Sequence, residues 1–148
     1  FLERKTVKKY LALVHGEFKE QSGLITATIE RHPKDRHKFT VGGDLAKASI
    51  TEWIVLQQFT DMTLLELIPH TGRTHQLRVH LQHINHPIVS DPIYGFQKRI
   101  KDDLAISPRL FLHAKYLEFQ HPSTAFRVHF DVDLPEELQQ VLATCTLK

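Results

Sequence analysis

The sequence predicts an α+β domain built on a mixed, mostly antiparallel sheet with two main helices. Three observations carry this. β-rich runs recur in pairs separated by short turn-like breaks, only two segments have helical periodicity, and strands and helices do not alternate as a parallel α/β fold requires. The length, 148 residues with 41% hydrophobic and 24% charged side chains, is that of one globular domain.

The elements follow in chain order. Lys5 to His15 sets Tyr10, Ala12 and Val14 on one parity and Leu11 and Leu13 on the other, so this strand is expected to be covered on both faces toward its end. Gly16 to Gly23 turns the chain, and Leu24 to Ile29 alternates Ile25, Ala27 and Ile29 against Thr26 and Thr28, the pattern of a half-exposed strand. A polar loop, Arg31 to Asp44, carries Arg31, Lys34, Arg36 and Lys38 interleaved with His32 and His37, and ends in Gly42-Gly43. Ser49 to Phe59 and Thr63 to Ile68 read as a hairpin through Thr60-Asp61-Met62. Phe111 to Phe119 and Thr124 to Val132 repeat that plan around His121-Pro122-Ser123. In the last strand Phe126, Val128, Phe130 and Val132 alternate with Arg127, His129 and Asp131, which predicts one packed and one wet face. The helices are expected at Thr74 to about Asn85 and at Pro135 to about Thr144, the second opening Pro-Glu-Glu as a first turn prefers. Pro87, Pro92, Gly95 and Pro108 make the stretch between the first helix and the second hairpin loop-rich.

Composition narrows the function. A net charge of +2 with a pI near 8.7 permits an anionic partner without demanding one. Cys145 stands alone, so no internal disulfide can form, and no apolar run is long enough to span a bilayer; together these lead to an expectation of a cytoplasmic protein with no membrane partner. Cys145 sits near the end of an amphipathic helix, where packing explains it better than nucleophilic chemistry. His75, His80, His83 and His86 invite a metal, but only His80 and His83 share a helical face, and a zinc site needs at least three converging ligands, so no metal is expected. No phosphate-loop or dinucleotide glycine pattern occurs.

Polar chemistry concentrates in Thr71-Gly72-Arg73-Thr74-His75-Gln76-Leu77-Arg78-Val79-His80-Leu81, where strand, turn and helix start succeed one another. Thr74 is the expected N-cap, and the turn with Arg73 suits a phosphate. Leu77, Leu81 and Ile84 form one stripe, with His75, Arg78 and Gln82 opposite, so the core alone does not account for Arg78; a solvated polar face does as well as a functional one.

The same run, extended by Pro69-His70 at its start and by His83-Ile84-Asn85-His86-Pro87-Ile88-Val89-Ser90-Asp91-Pro92-Ile93-Tyr94-Gly95 after it, closely resembles the signature of RluA-type RNA pseudouridine synthases. Lys9 to Gly16, Ala48 to Trp53, and Leu112-His113-Ala114 with Leu117, Phe119, His121 and Pro122 fit the same family in the same order, so the likeness covers nearly the whole chain.

The resemblance implies an isomerase that converts uridine to pseudouridine in structured ribosomal or transfer RNA without cofactor. An aspartate attacks the uridine, and the detached uracil turns and rejoins ribose through carbon 5. Tyr10 matches the active-site tyrosine that packs on the uracil and is a candidate for the base removing the C5 proton; as a bare strand residue it would read as core. Arg78 matches the arginine that pairs with the aspartate, and a charge partner favours the ionised carboxylate needed for attack. Leu77 and Leu112 match apolar pocket positions, and Arg73, His75 and His113 the polar surroundings of the flipped nucleotide. Arg31, Lys34, Arg36 and Lys38 are equally well read as contacts to the displaced RNA backbone and as a solvated loop.

The family's nucleophile lies in an H-R-L-D-x-x-T-S-G segment upstream of the tyrosine strand, and no such segment occurs in this sequence. Asp35, Asp44, Asp61, Asp91, Asp102 and Asp103 all stand in other contexts, and no RNA-recruitment domain precedes the tyrosine strand. The chain is therefore expected to be the C-terminal half of a catalytic domain, inactive alone. It would be a fragment, a partner of a separate N-terminal chain, or a catalytically dead RNA-binding derivative. Its start at Phe1 favours the fragment.

Overall fold

The computed structural model describes residues 6–43 and 47–148, so Lys5 of the first predicted strand and Asp44 of the predicted loop lie outside the described residues. The main sheet has six strands: β1 (Val7–His15), β2 (Ser22–Ala27), β5 (Ser49–Phe59), β6 (Met62–Pro69), β7 (Leu112–Gln120) and β8 (Arg127–Asp131). Their order is β2-β5-β6-β1-β7-β8, and every pairing is antiparallel. Being central, β1 is covered on both faces toward its end: Leu11, Ala12, Leu13 and Val14 are all buried, as the near-continuous apolar run requires. The alternation predicted for Leu24 to Ile29 holds through Ala27, with Ile25 and Ala27 in the core, but breaks there: Thr28 is buried and Ile29, half-buried, opens a separate strand. The β5–β6 hairpin closes through Thr60-Asp61, one residue tighter than predicted, with Asp61 taking the positive φ (62°) that a two-residue turn needs.

Among the described residues there are three α-helices: α1 (Gln76–His83), α2 (Ile100–Ile106) and α3 (Glu136–Thr144). The third matches its prediction and drives Leu138 and Val141 into the core, each such burial contributing about 1.5–3 kcal/mol. The first is shorter than predicted at both ends, and Thr74 does not cap it. His75 holds the cap position in the left-handed region (φ 56°, ψ 19°) without a side-chain cap bond. Nor is α1 a two-sided amphipathic helix, because Gln76, Val79 and His80 are buried along with Leu77 and Leu81. The second helix lies inside the stretch read as loop-rich.

Two other expectations are corrected. Within the predicted loop from Arg31, a small hairpin forms from β3 (Ile29–Arg31) and β4 (Phe39–Val41), so Arg31 is a strand residue and Lys34, Arg36 and Lys38 lie in the connection. The apolar parity of the last strand does not pack. β8 is one of the two outer strands of the main sheet, and Phe126, Phe130 and Val132 are 75%, 56% and 54% exposed.

The segment after α1 is threaded into the sheet. Val14 bridges Ile88, Val89 N–H donates to Leu13, and Phe111 N–H donates to Val89. This fixes Ser90 to Gly95 beneath the start of α1. Gly95 sits so close that a Cβ there would lie 2.4 Å from the Asp91 carbonyl oxygen. Further along, the buried His15 Nε2 is 2.8 Å from Asp103 Oδ2, which also accepts the Ser90 N–H, tying α2 to the end of β1.

Candidate active site

A cavity of about 290 Å3 opens where β1, the end of β6, the 71–75 turn, α1 and the start of β7 meet. Its volume is at the lower end for small-molecule pockets. Tyr10, Arg73, His75, Leu77, Arg78 and Leu112 all line it, together with Lys8, Thr71 and Gln76. Six of the residues singled out in the sequence, spread over a hundred positions, thus converge on one cavity.

Local structure explains how each arrives. A register shift between Lys9 and Tyr10 pairs Lys9 with Tyr116 but Tyr10 with Ala114, and such a bulge re-aims the side chain beside it. Gln76 is buried and locks the turn: its Nε2 donates to the Ile50 carbonyl and Thr51 Oγ1, while its Oε1 accepts from Thr71 Oγ1 and the Arg73 N–H. The turn is held by a side chain rather than by the Thr74 cap.

Arg78 is 15% exposed and makes a two-pronged pair with fully buried Asp91, Nε to Oδ2 at 2.9 Å and Nη2 to Oδ1 at 2.8 Å. Asp91 Oδ1 also accepts the N–H groups of Ile93 and Tyr94, both at 2.9 Å. Burial works to raise the Asp91 pKa, but the Arg78 fork and these two amides outweigh it and hold the carboxyl below its ordinary value. The bond to Asp91 in turn raises the pKa of Arg78. The guanidinium also lies over the Tyr94 ring, 5.0 Å from its centre. From the sequence, Asp91 and Tyr94 stand only as members of the family motif, and neither is given a site role there.

His75 sits between these groups. Its Nδ1 is 2.7 Å from Tyr94 Oη, and burial first, then the Arg78 charge, lowers its pKa. His80, by contrast, is a core residue: its Nε2 donates to the Ala27 carbonyl at 3.0 Å and its Nδ1 accepts from Thr51 Oγ1 at 2.8 Å, and burial depresses its pKa. Among the described residues no group of His, Cys, Asp or Glu side chains is arranged to hold a metal ion. Burial raises the Cys145 thiol pKa and its Sγ lies 3.4 Å from the Val141 carbonyl, an environment that disfavours a nucleophile.

Two sets of expected residues stand apart from the cavity. His113 follows Leu112 on β7 and so takes the other face of the strand, where its Nε2 donates to the Val132 carbonyl at 2.8 Å. The basic connection touches the cavity only indirectly. Arg31 donates to the Arg36 carbonyl and lies 5.0 Å over the Phe39 ring, which meets the His75 ring edge-on; Lys38 lines a separate hollow with Gln82 and Gly95, and Lys34 lines neither.

Residues 1–83, more than half of the chain, match the family described as RNA pseudouridylate synthase. The chain belongs to the RluA-type RNA pseudouridine synthases. It is 42% identical over 142 residues to the uncharacterized RNA pseudouridine synthase YlyB of Bacillus subtilis, covering 95% of this chain and 45% of that protein. It is 40% identical to ribosomal large subunit pseudouridine synthase D of Xylella fastidiosa, covering 95% and 44%. Among solved structures, human RNA pseudouridylate synthase domain containing 1 superposes with a TM-score of 0.80 at 30% identity, over 99% of this chain and 61% of that one. The chain thus spans less than half the length of these two curated relatives.

Proposed function

We propose that this chain forms one side of the active site of an RNA pseudouridine synthase, and that the attacking aspartate comes from a segment outside its 148 residues. The observation that carries this reading is the cavity, which gathers Tyr10, Leu77, Arg78 and Leu112 while no aspartate lines it among the described residues. Asp91 and Asp103 are both buried and committed to internal hydrogen bonds.

The residues then divide the work. Leu77 and Leu112 give the uracil an apolar bed, and Tyr10 packs on the base and takes its C5 proton. Asp91 holds the Arg78 guanidinium by Nε and one amino group. The other amino group is left to pair with the incoming carboxylate, which an adjacent positive charge keeps ionised for attack. Flipping a paired uridine into the cavity costs a few kcal/mol, which contacts from Arg73, and from Arg31, Lys34, Arg36 and Lys38 to the displaced backbone, help to offset. Ribosomal or transfer RNA in the cytoplasm is the substrate on this reading.

The test joins the chain to an upstream segment carrying the H-R-L-D pattern and follows pseudouridine formation in a structured RNA. Arg78→Ala should lower turnover about 100-fold or more, and near-normal turnover would show that Arg78 has been given the wrong role. Should the upstream coding sequence lack the aspartate while RNA affinity persists with steep salt dependence, the protein is an RNA-binding derivative of the fold instead.

A further inference from the structure

His75 is held in the left-handed region, φ 56°, a conformation that a non-glycine residue keeps only when its surroundings demand it. Here the demand comes from Tyr94. That side chain is 1% exposed, its Oη lies 2.7 Å from His75 Nδ1, and the same oxygen accepts the Phe39 N–H at 2.9 Å. A phenol has a single hydrogen to give. If His75 Nδ1 donated to it, the hydroxyl would receive two donors and its own hydrogen would be buried without an acceptor. If the hydroxyl donates to Nδ1, every group is satisfied. Nδ1 is then the acceptor, and the proton of the neutral ring resides on Nε2. Burial and the neighbouring Arg78 charge disfavour the imidazolium, which keeps the ring neutral near pH 7.

We propose that Tyr94 is a positioning residue that fixes His75 as its Nε2–H tautomer, so that the cavity offers a directed N–H donor to a carbonyl oxygen of the bound base. This rests on reading the cavity as a base site. It also gives Phe39 a purpose, since its N–H occupies the acceptor side of Tyr94 Oη and steers the hydroxyl hydrogen toward His75.

The first measurement is the imidazole nitrogen shifts of His75 in the 15N-labelled 148-residue chain, which need neither RNA nor turnover. The wild-type chain should show the Nε2–H tautomer, and Tyr94→Phe, checked for folding by circular dichroism, should show a mixture. A wild-type Nδ1–H tautomer, or an unchanged tautomer in Tyr94→Phe, overturns the proposal; the wild-type result alone decides if Tyr94→Phe fails to fold. The second measurement is binding of a uridine-containing RNA hairpin. Glutamine places an amide N–H where Nε2 was, whereas asparagine reaches only the Nδ1 position. His75→Asn should therefore bind about 5–10-fold more weakly than wild type, with His75→Gln recovering most of that loss. Equal affinity of the two variants overturns the donor role. If Arg73→Ala and Arg78→Ala leave RNA affinity unchanged as well, the base-site reading has failed, and the nitrogen shifts still judge the tautomer separately.

Discussion

Replacing Asp91 by alanine should be among the most damaging single changes to this fold. The carboxylate accepts from Arg78 at 2.9 and 2.8 Å and from the amides of Ile93 and Tyr94, both at 2.9 Å. Its loss leaves a guanidinium that is only 15% exposed without a counter-charge and orphans two backbone donors. Removing one partner of a buried pair costs about 3–5 kcal/mol, and the orphaned amides weigh in the same direction by about 1 kcal/mol each without strict additivity. We expect a net loss of about 3–5 kcal/mol from a total of about 5–15, or a fall in Tm of roughly 6–20 °C. Urea unfolding at pH 7 measures this directly, provided that m is unchanged. The cost should be specific to the stranded charge, so Asp91→Ala with Arg78→Met should be more stable than Asp91→Ala alone. Because folding lowers the Asp91 pKa, its contribution is present above the unfolded value near 3.9 and is lost as pH falls through the folded value. A loss under about 1 kcal/mol for Asp91→Ala, or a double variant no more stable than the single one, would refute the reasoning.

The histidines make a prediction of opposite origin. Folding lowers the pKa of both His75 and His80, so below about pH 6.5 the unfolded chain binds protons that the native chain resists. Urea midpoints should fall between pH 7.5 and 5.5, and His80→Gln should flatten that slope. The glycines divide by what surrounds them. Gly95→Ala forces a Cβ to 2.4 Å from the Asp91 carbonyl oxygen and should cost about 1–3 kcal/mol. Gly72→Ala meets nothing within 4 Å and should be near neutral in the same unfolding assay.

What the sequence disclosed depended on the range of the forces involved. Strands β1, β2, β5 and β6 and helix α3 were legible because residues two or three to four positions apart already report which face is buried. Helix α2 was not, since it spans two turns and leaves Leu104 and Ile106 largely exposed, giving no stripe to read. Periodicity misled at β8. Its alternation is perfect, but burial is conferred by what covers a sheet face: β2, also an outer strand, buries Ile25 and Ala27, whereas Phe126, Phe130 and Val132 stay exposed. The short Phe39–Val41 strand was hidden among charged residues and glycines. In the site, the family resemblance singled out Tyr10, Arg73, His75, Leu77, Arg78 and Leu112, which line one cavity. It could not show that Arg78 is held by Asp91, thirteen residues away, because that pairing exists only once the 87–95 segment is laid beneath α1. His113 does not line that cavity, because adjacency to Leu112 in a strand means opposite faces.

The measurement that bears most directly on the account is tritium release from RNA labelled at uridine C5, run with this chain alone and with the chain joined to an upstream segment bearing the aspartate. The account predicts no release from the chain alone and cofactor-independent release from the joined protein. Release by the chain alone, or none from a well-folded joined protein, would contradict it.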